Sequence, residues 1–238
     1  MTTEATLPQC WQDVKDASDA GINQVILYGP PGTGKTFTGL HFNTGIGGAF
    51  RLICNEDMTS ADVTGHMLPA GDTWRWNSGA VLNAWQGDGQ VGGRVVADEI
   101  DRASGDVLSL LLAMFDSPES ASWTNPMTQE KHRPLPGFSV YMTTNLEQPE
   151  DLPTALKDRF PVAIRINQPH PDALTFLSPR LRVPAALSAD DHYGRISLRG
   201  WKAFDKASET IGDEKAARLV FGSLANSVLD TLRVNDLA

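Results

Sequence analysis

Cysteine is scarce: Cys10 and Cys54 are the only two in 238 residues, and neither sits in a CxxC or Cys/His spacing. A disulfide framework and a zinc site both lack the residues they need, so the two thiols read as buried or unremarkable. Long apolar runs are missing too. No stretch approaches the roughly 20 residues of a membrane-spanning helix. The opening MTTEATLPQC lacks the basic-then-apolar order of a secretory leader. Cytoplasm is therefore the expected location, with no membrane partner. Positive charge is outnumbered, 20 Lys and Arg against 29 Asp and Glu, for a formal net charge of -9. A field of that sign repels nucleic acid, which makes nucleic acid the less expected partner, although an assembly could still carry a local basic surface. Internal repeats, low-complexity tracts and long like-charge blocks are also absent.

What is present suits one sizeable core with a small appended domain, since 41% of the residues are hydrophobic. Residues 8–20 read as a short helix or docking arm with Trp11 and Val14 as its buried contacts. Five short stretches read as strands: QVILYG, FRLICN, GRVVADEI, FSVYMTTN and PVAIRI. The first is almost continuously apolar, which is how a strand buried on both faces of a parallel sheet reads. Helical patterns lie between them, as in SGAVLNAWQ, with a start near Ser78, and ASGDVLSLLLAMFD. The predicted fold class is α/β, a largely parallel five-stranded sheet sandwiched by helices. Two excursions interrupt it: GHMLPAGDTWRWNSG reads as a β-hairpin around Gly71-Asp72, and ASWTNPMTQEKHRPLPG as a hairpin or loop. After NQPHPD the strand pattern gives way to helical ones. The predicted division is an arm over 1–20, an α/β core over 21–168 and a helical region over 169–238.

The chemistry concentrates where strand candidates end. Gly29, Pro30, Pro31, Gly32, Thr33, Gly34, Lys35 and Thr36 spell GxxxxGK[ST] between a predicted strand and a predicted helix. Glycines let backbone N–H groups turn inward around phosphate oxygens, and the helix N-terminus adds a favourable dipole. Lys35 would reach the β- and γ-phosphates, and the Thr36 hydroxyl would ligate Mg²⁺. Phe37 follows directly and is counted with this nucleotide-binding stretch. In RVVADEID an apolar strand ends in two adjacent acids, at the sheet edge where ligands of open α/β sheets bind. Asp98 would hold the Mg²⁺ shell, and Glu99 would orient and deprotonate the attacking water. Asn145, closing YMTTN, suits either a hold on that water or the γ-phosphate, or an ordinary turn. A lone arginine such as Arg159 or Arg199 is by itself usually a surface group. Trp74 and Trp76 could grip a partner from a hairpin tip or simply pack across strands. A small-molecule or nucleoside kinase also uses a phosphate loop, but adjacent acids after a buried strand and the absence of an Arg-rich closing lid argue against one. A GTPase would need an NKxD pattern, which is absent.

GPPGTGKT, VVADEID, MTTN and LKDRF, in this order, resemble the AAA+ ATPases, specifically the MoxR-like and dynein-related branch, from about Gly21 to Asn167. TSADVTGHMLPAGDTWRWNSGAVLNAW is similar to the hairpin inserted in that branch's second helix. The resemblance implies an AAA+ core with a helical lid, with ATP and Mg²⁺ as cofactors and turnover of ATP to ADP and phosphate. It makes Asn145 the sensor-1 group and Arg159 an arginine finger offered to a neighbour's γ-phosphate. Arg199 matches the lid's sensor-2 position, with Arg195 as nearby competitor. It also implies a homo-oligomer, in such families a hexameric ring, working as a chaperone-like motor on a client or adaptor protein, often one with a von Willebrand factor A domain. A slow-turnover, nucleotide-dependent assembly switch is the alternative.

Overall fold

The computed structural model describes residues 7–42, 47–103, 105–189 and 194–236. The chain order begins α1 (Gln9–Asp19), β1 (Gln24–Tyr28), α2 (Lys35–His41) and β2 (Ala49–Ile53). A short helix, α3 (Ser60–Thr64), leads into the hairpin of β3 (Gly65–Ala70) and β4 (Thr73–Ser78), and α4 (Ala80–Gln86) brings the chain to β5 (Arg94–Asp98). Next come α5 (Gly105–Met114), the two-residue strands β6 (Trp123–Thr124) and β7 (Lys131–His132), β8 (Ser139–Thr143), α6 (Thr154–Arg159) and β9 (Val162–Arg165). The rest is helical: α7 (Pro171–Leu174), α8 (Pro179–Ser188), α9 (Leu198–Ile211), α10 (Asp213–Phe221) and α11 (Ala225–Asp236). Two compact units result. An α/β unit holds Asp13–Gly29 and Thr36–Arg165, and a helical unit holds Pro30–Lys35 and the described residues from Ile166 onward, together with those up to Gln12.

All five predicted strands join one sheet in the order β2-β5-β8-β1-β9, and every pairing is parallel. The central strands β5 and β8 are buried along their whole length, as their apolar runs require. Ile26, Leu52, Val95, Val140 and Met142 pack with Trp85, Leu111, Phe115 and Phe138 in one apolar cluster. Each such side chain contributes about 1.5–3 kcal/mol when fully buried. Because the strands run in parallel, the carboxyl ends of β1, β5 and β8 share one edge, which carries Gly29, Asp98 and Thr143.

Helix α2 lies tightly on this sheet. A Cβ at Gly39 would come within 3.1 Å of the Val96 side chain. At the end of α2 the buried guanidinium of Arg94 donates from Nη1 to the carbonyls of Gly39 (3.1 Å) and Phe42 (2.6 Å). Its other face lies 4.1 Å from the Tyr141 ring centre. A cation here satisfies carbonyls that a helix end leaves open and complements its dipole.

The predicted hairpin forms, with Gly65 paired to Ser78 and Ala70 to Thr73 around the turn at Gly71, where φ is +64°. Trp74 and Trp76, two residues apart on one strand, share a face. Their fates differ. Trp76 stacks on Trp123 at 5.5 Å, which in turn stacks on His132 at 5.8 Å, so Trp76 packs the two hairpins together. Trp74 is 66% exposed. Helix α4 starts at Ala80 rather than near Ser78, because Ser78 is still committed to its pairing with Gly65 and Gly79 takes the N-cap.

The helical unit has its own core of Leu181, Ala185, Trp201, Phe204, Ala216, Ala217, Val228 and Leu232. Trp201 meets Phe204 edge-on at 6.1 Å and Phe221 at 5.4 Å. Ser197 caps α9 by accepting from the Gly200 N–H.

Candidate functional site

β1 delivers the chain into a loop whose glycines do what only glycine does easily. Gly29, Gly32 and Gly34 have φ of +115°, +79° and +90°. The Gly29 N–H donates to the Leu146 carbonyl at 3.1 Å, tying the loop's start to the segment that follows β8. Lys35 is buried, and its Nζ donates to the Pro30 carbonyl at 2.8 Å, to which the Thr33 hydroxyl also donates. Phe37 packs its ring on His41, one turn along α2.

Thr36 Oγ1 donates to Asp98 Oδ1 at 2.6 Å, and Thr143 Oγ1 donates to the same oxygen at 2.6 Å. Arg51, on β2, donates to the other oxygen, Oδ2, from Nε at 3.2 Å and also from Nη2. Burial pushes the Asp98 carboxyl up, but the bonds from Thr143, Thr36 and Arg51, with the Arg51 charge, outweigh it and hold the group below its ordinary value. The same crowding of acids affects Cys54, whose backbone N–H bonds the Asp98 carbonyl. Its thiol is pushed up to about 12, first by burial and then by the charges of Asp98, Asp101 and Glu99. It is therefore a neutral packing group, as its isolation in the sequence implies.

Glu99 follows Asp98 in the left-handed conformation, φ +58° and ψ +48°. That backbone costs a non-glycine residue on the order of 1 kcal/mol and is typical of functional positions. The Glu99 N–H donates to Thr143 Oγ1 at 3.3 Å, and its carboxylate pairs with Arg102 Nε at 3.1 Å. Asn145 lies exposed beyond the end of β8, next to Thr144, whose buried N–H bonds the Leu27 carbonyl at 3.1 Å.

Arg159 stands elsewhere in the unit, as the last residue of α6, which Leu156 and Phe160 anchor in the core. Its Nη1 donates to the Ala155 carbonyl. Its buried Nε has no hydrogen-bond acceptor among the described residues and lies 4.0 Å from Asp116 Oδ2. Within the helical unit, Arg195 Nη2 donates to the Pro31 carbonyl at 3.0 Å, and the Leu198 N–H donates to the Gly32 carbonyl at 3.2 Å. A Cβ at Gly32 would meet Ser197 Cβ at 2.4 Å, so this glycine is required by close approach as well as by φ. Arg199 is exposed on the first turn of α9, while the competing Arg195 touches the loop.

Four polar contributors escaped the sequence reading: Arg51, Thr143, Arg102 and Asp116. Thr143 was in plain view within MTTN, and Arg51 is the charge interrupting the strand pattern FRLI. Arg102 pairs with Glu99 three residues before it, but the partners of the other three lie on other elements, which strand and helix periodicity does not reveal.

A parallel sheet flanked by helices, with a glycine loop leading from β1 into a helix and an acid pair at the end of β5, defines a P-loop NTPase core of the AAA+ kind. The chain belongs to the family described as AAA domain (dynein-related subfamily), which matches residues 24–160. No curated protein matches it. A solved structure similar to it is a putative ATPase from Cytophaga hutchinsonii, 20% identical with a TM-score of 0.47, over 70% of this chain and 48% of that one. The chain thus matches about half the length of that solved protein.

Proposed function

We propose that the chain is an ATP-hydrolysing AAA+ subunit of the MoxR-like type, with ATP and Mg²⁺ bound at an interface that a second copy completes. The observation carrying this reading is the 2.6 Å bond between Thr36 and Asp98, which joins the phosphate loop to the acidic strand end. A hydroxyl and a carboxylate held together supply the hard oxygen donors that suit Mg²⁺. The backbone of Gly29–Thr36 and the Lys35 ammonium bind the phosphates, and Thr36 and Asp98 hold the metal. When bound, Mg²⁺ neutralises charge on the phosphate oxygens. Glu99 accepts a proton from the attacking water once its carboxylate leaves Arg102, and Asn145 orients that water. Arg159 serves a neighbouring copy, and Arg199 or Arg195 contacts the phosphates from the lid.

A finger of this kind contributes about 10³ to 10⁵ in turnover, so a lone copy is nearly idle and a ring, hexameric as in related families, is the working form. Its work is chaperone-like remodelling of a client or adaptor protein, one with a von Willebrand factor A domain being the leading candidate. The Glu99–Arg102 pair favours the second reading, an assembly switch with slow turnover, in one respect: it holds the general base aside in the single chain.

Complementation tests the shared site. Glu99→Gln and Arg159→Ala should each bind ATP and release little phosphate alone. Mixed, they should regain part of the wild-type rate, because an intact Glu99 then faces an intact Arg159. No recovery on mixing overturns the shared site, and full turnover by Glu99→Gln alone removes Glu99 from its role.

A further inference from the structure

Asp98 presents two oxygens, and they are engaged differently. Oδ1 takes the hydroxyls of Thr36 and Thr143, from the loop helix and the neighbouring strand. Oδ2 takes two N–H groups of Arg51. Arg51 reaches it from the adjacent strand: Ile53 is the residue in register with Asp98, and Arg51, two residues earlier, projects on the same side of the sheet as Ile53. The strand β2 lies at the sheet's edge, and the Arg51 side chain is 44% exposed while that of Asp98 is 9% exposed. The guanidinium therefore has water behind it and a place to go if displaced.

We propose that Arg51 competes with Mg²⁺ for Asp98 Oδ2 and thereby sets how much metal nucleotide binding requires. The inference rests on the reading above that Asp98 and Thr36 hold the metal. With Oδ1 taken by two hydroxyls, Oδ2 is the oxygen left to face the metal or its water shell. A dication and a guanidinium on one carboxylate oxygen repel each other, so one must leave as the other arrives. Until then Arg51 supplies the positive charge that a buried carboxylate needs, keeping Asp98 ionised and turned toward Thr36. A longer cation on an edge strand is well suited to this exchange because its planar fork releases both bonds by one swing of the side chain.

The test titrates Mg²⁺ into the full chain in the presence of a fluorescent ADP analogue and follows nucleotide binding, with an EDTA baseline. Arg51→Gln should lower the Mg²⁺ concentration at half-saturation about two- to fivefold, the effect of a partly exposed ion pair, and leave metal-free nucleotide affinity unchanged. Arg51→Lys, which keeps the charge, should stay close to wild type. An unchanged or raised Mg²⁺ requirement in Arg51→Gln overturns the competition. Asp98→Asn separates this from the underlying reading: with Thr36 and the phosphates left as ligands it should raise the Mg²⁺ requirement about 10- to 100-fold, and adding Arg51→Gln to it should change nothing further. A Mg²⁺ requirement in Asp98→Asn that is unchanged from wild type overturns the metal assignment itself, whatever Arg51 does. Thermal unfolding of each variant without metal identifies any that fails to fold, and for those the Arg51→Lys titration against wild type still reads the charge, a shift as large as that expected of Gln counting against it.

Discussion

In the α/β unit, Arg94 and Asp98 lie buried, each ringed by directed hydrogen bonds. In helices α8 to α11 the ion pairs Arg180–Asp213, Arg218–Glu214 and Arg233–Asp230 all lie at the surface, and the interior is aromatic and aliphatic. The contrast is one of chemistry against packing. Buried charge is expensive unless fully partnered, so a region that retains it is being held to a geometry. A region that keeps charge outside can shift or exchange surface contacts without exposing an unpaired ion.

Substitutions can break this contrast, and their effects should fall in order. Trp201→Ala removes the largest side chain of the helical core and should cost about 3–5 kcal/mol in urea unfolding of that unit. A loss near zero would mean the helical core is not the unit's source of stability. Asp98→Asn should cost less, about 1–3 kcal/mol, because the amide fills the same space but leaves Arg51 without its charge. This second loss depends on pH. The Asp98 carboxyl is depressed in the folded chain, so its contribution is fully present above the ordinary value of 3.8 and fades as pH falls through the folded value below it. The stability gap between wild type and Asp98→Asn should therefore narrow on acidification below about pH 4, and a constant gap would count against the ionised pair. Arg180→Ala should cost least, about 0.5–1 kcal/mol. Its two bonds to Asp213, 2.6 and 2.8 Å, are well formed but reachable by water and salt, so the loss should shrink at high ionic strength.

The same contrast explains what the sequence could disclose. The strands, the loop and the acid pair were legible because each is a local pattern: an apolar run, a glycine spacing, two acids after a strand. The start of helix α2 was legible as well, since the glycine loop runs directly into it at Lys35. The arm helix was legible too, with Trp11 and Val14 both fully buried. What was not legible was pairing at a distance. Alternation placed Trp74 and Trp76 on one face, but only the fold brings Trp123 over one of them. No periodicity sets Arg51 beside Asp98, because strand order puts β2 next to β5 across two helices and a hairpin. Asp116 beside Arg159 is equally invisible, since one lies in the bend after α5 and the other at the end of α6.

The cap that Arg94 places on α2 has a consequence for timing as well as position. Helix α2 is seven residues long, too short to hold itself together in water. Its trailing carbonyls are gripped by Arg94 of β5, and its leading turn is tied to the end of the same strand by the Thr36–Asp98 bond. Both fixings come from one strand, so the helix has its two ends secured only once β5 is in place.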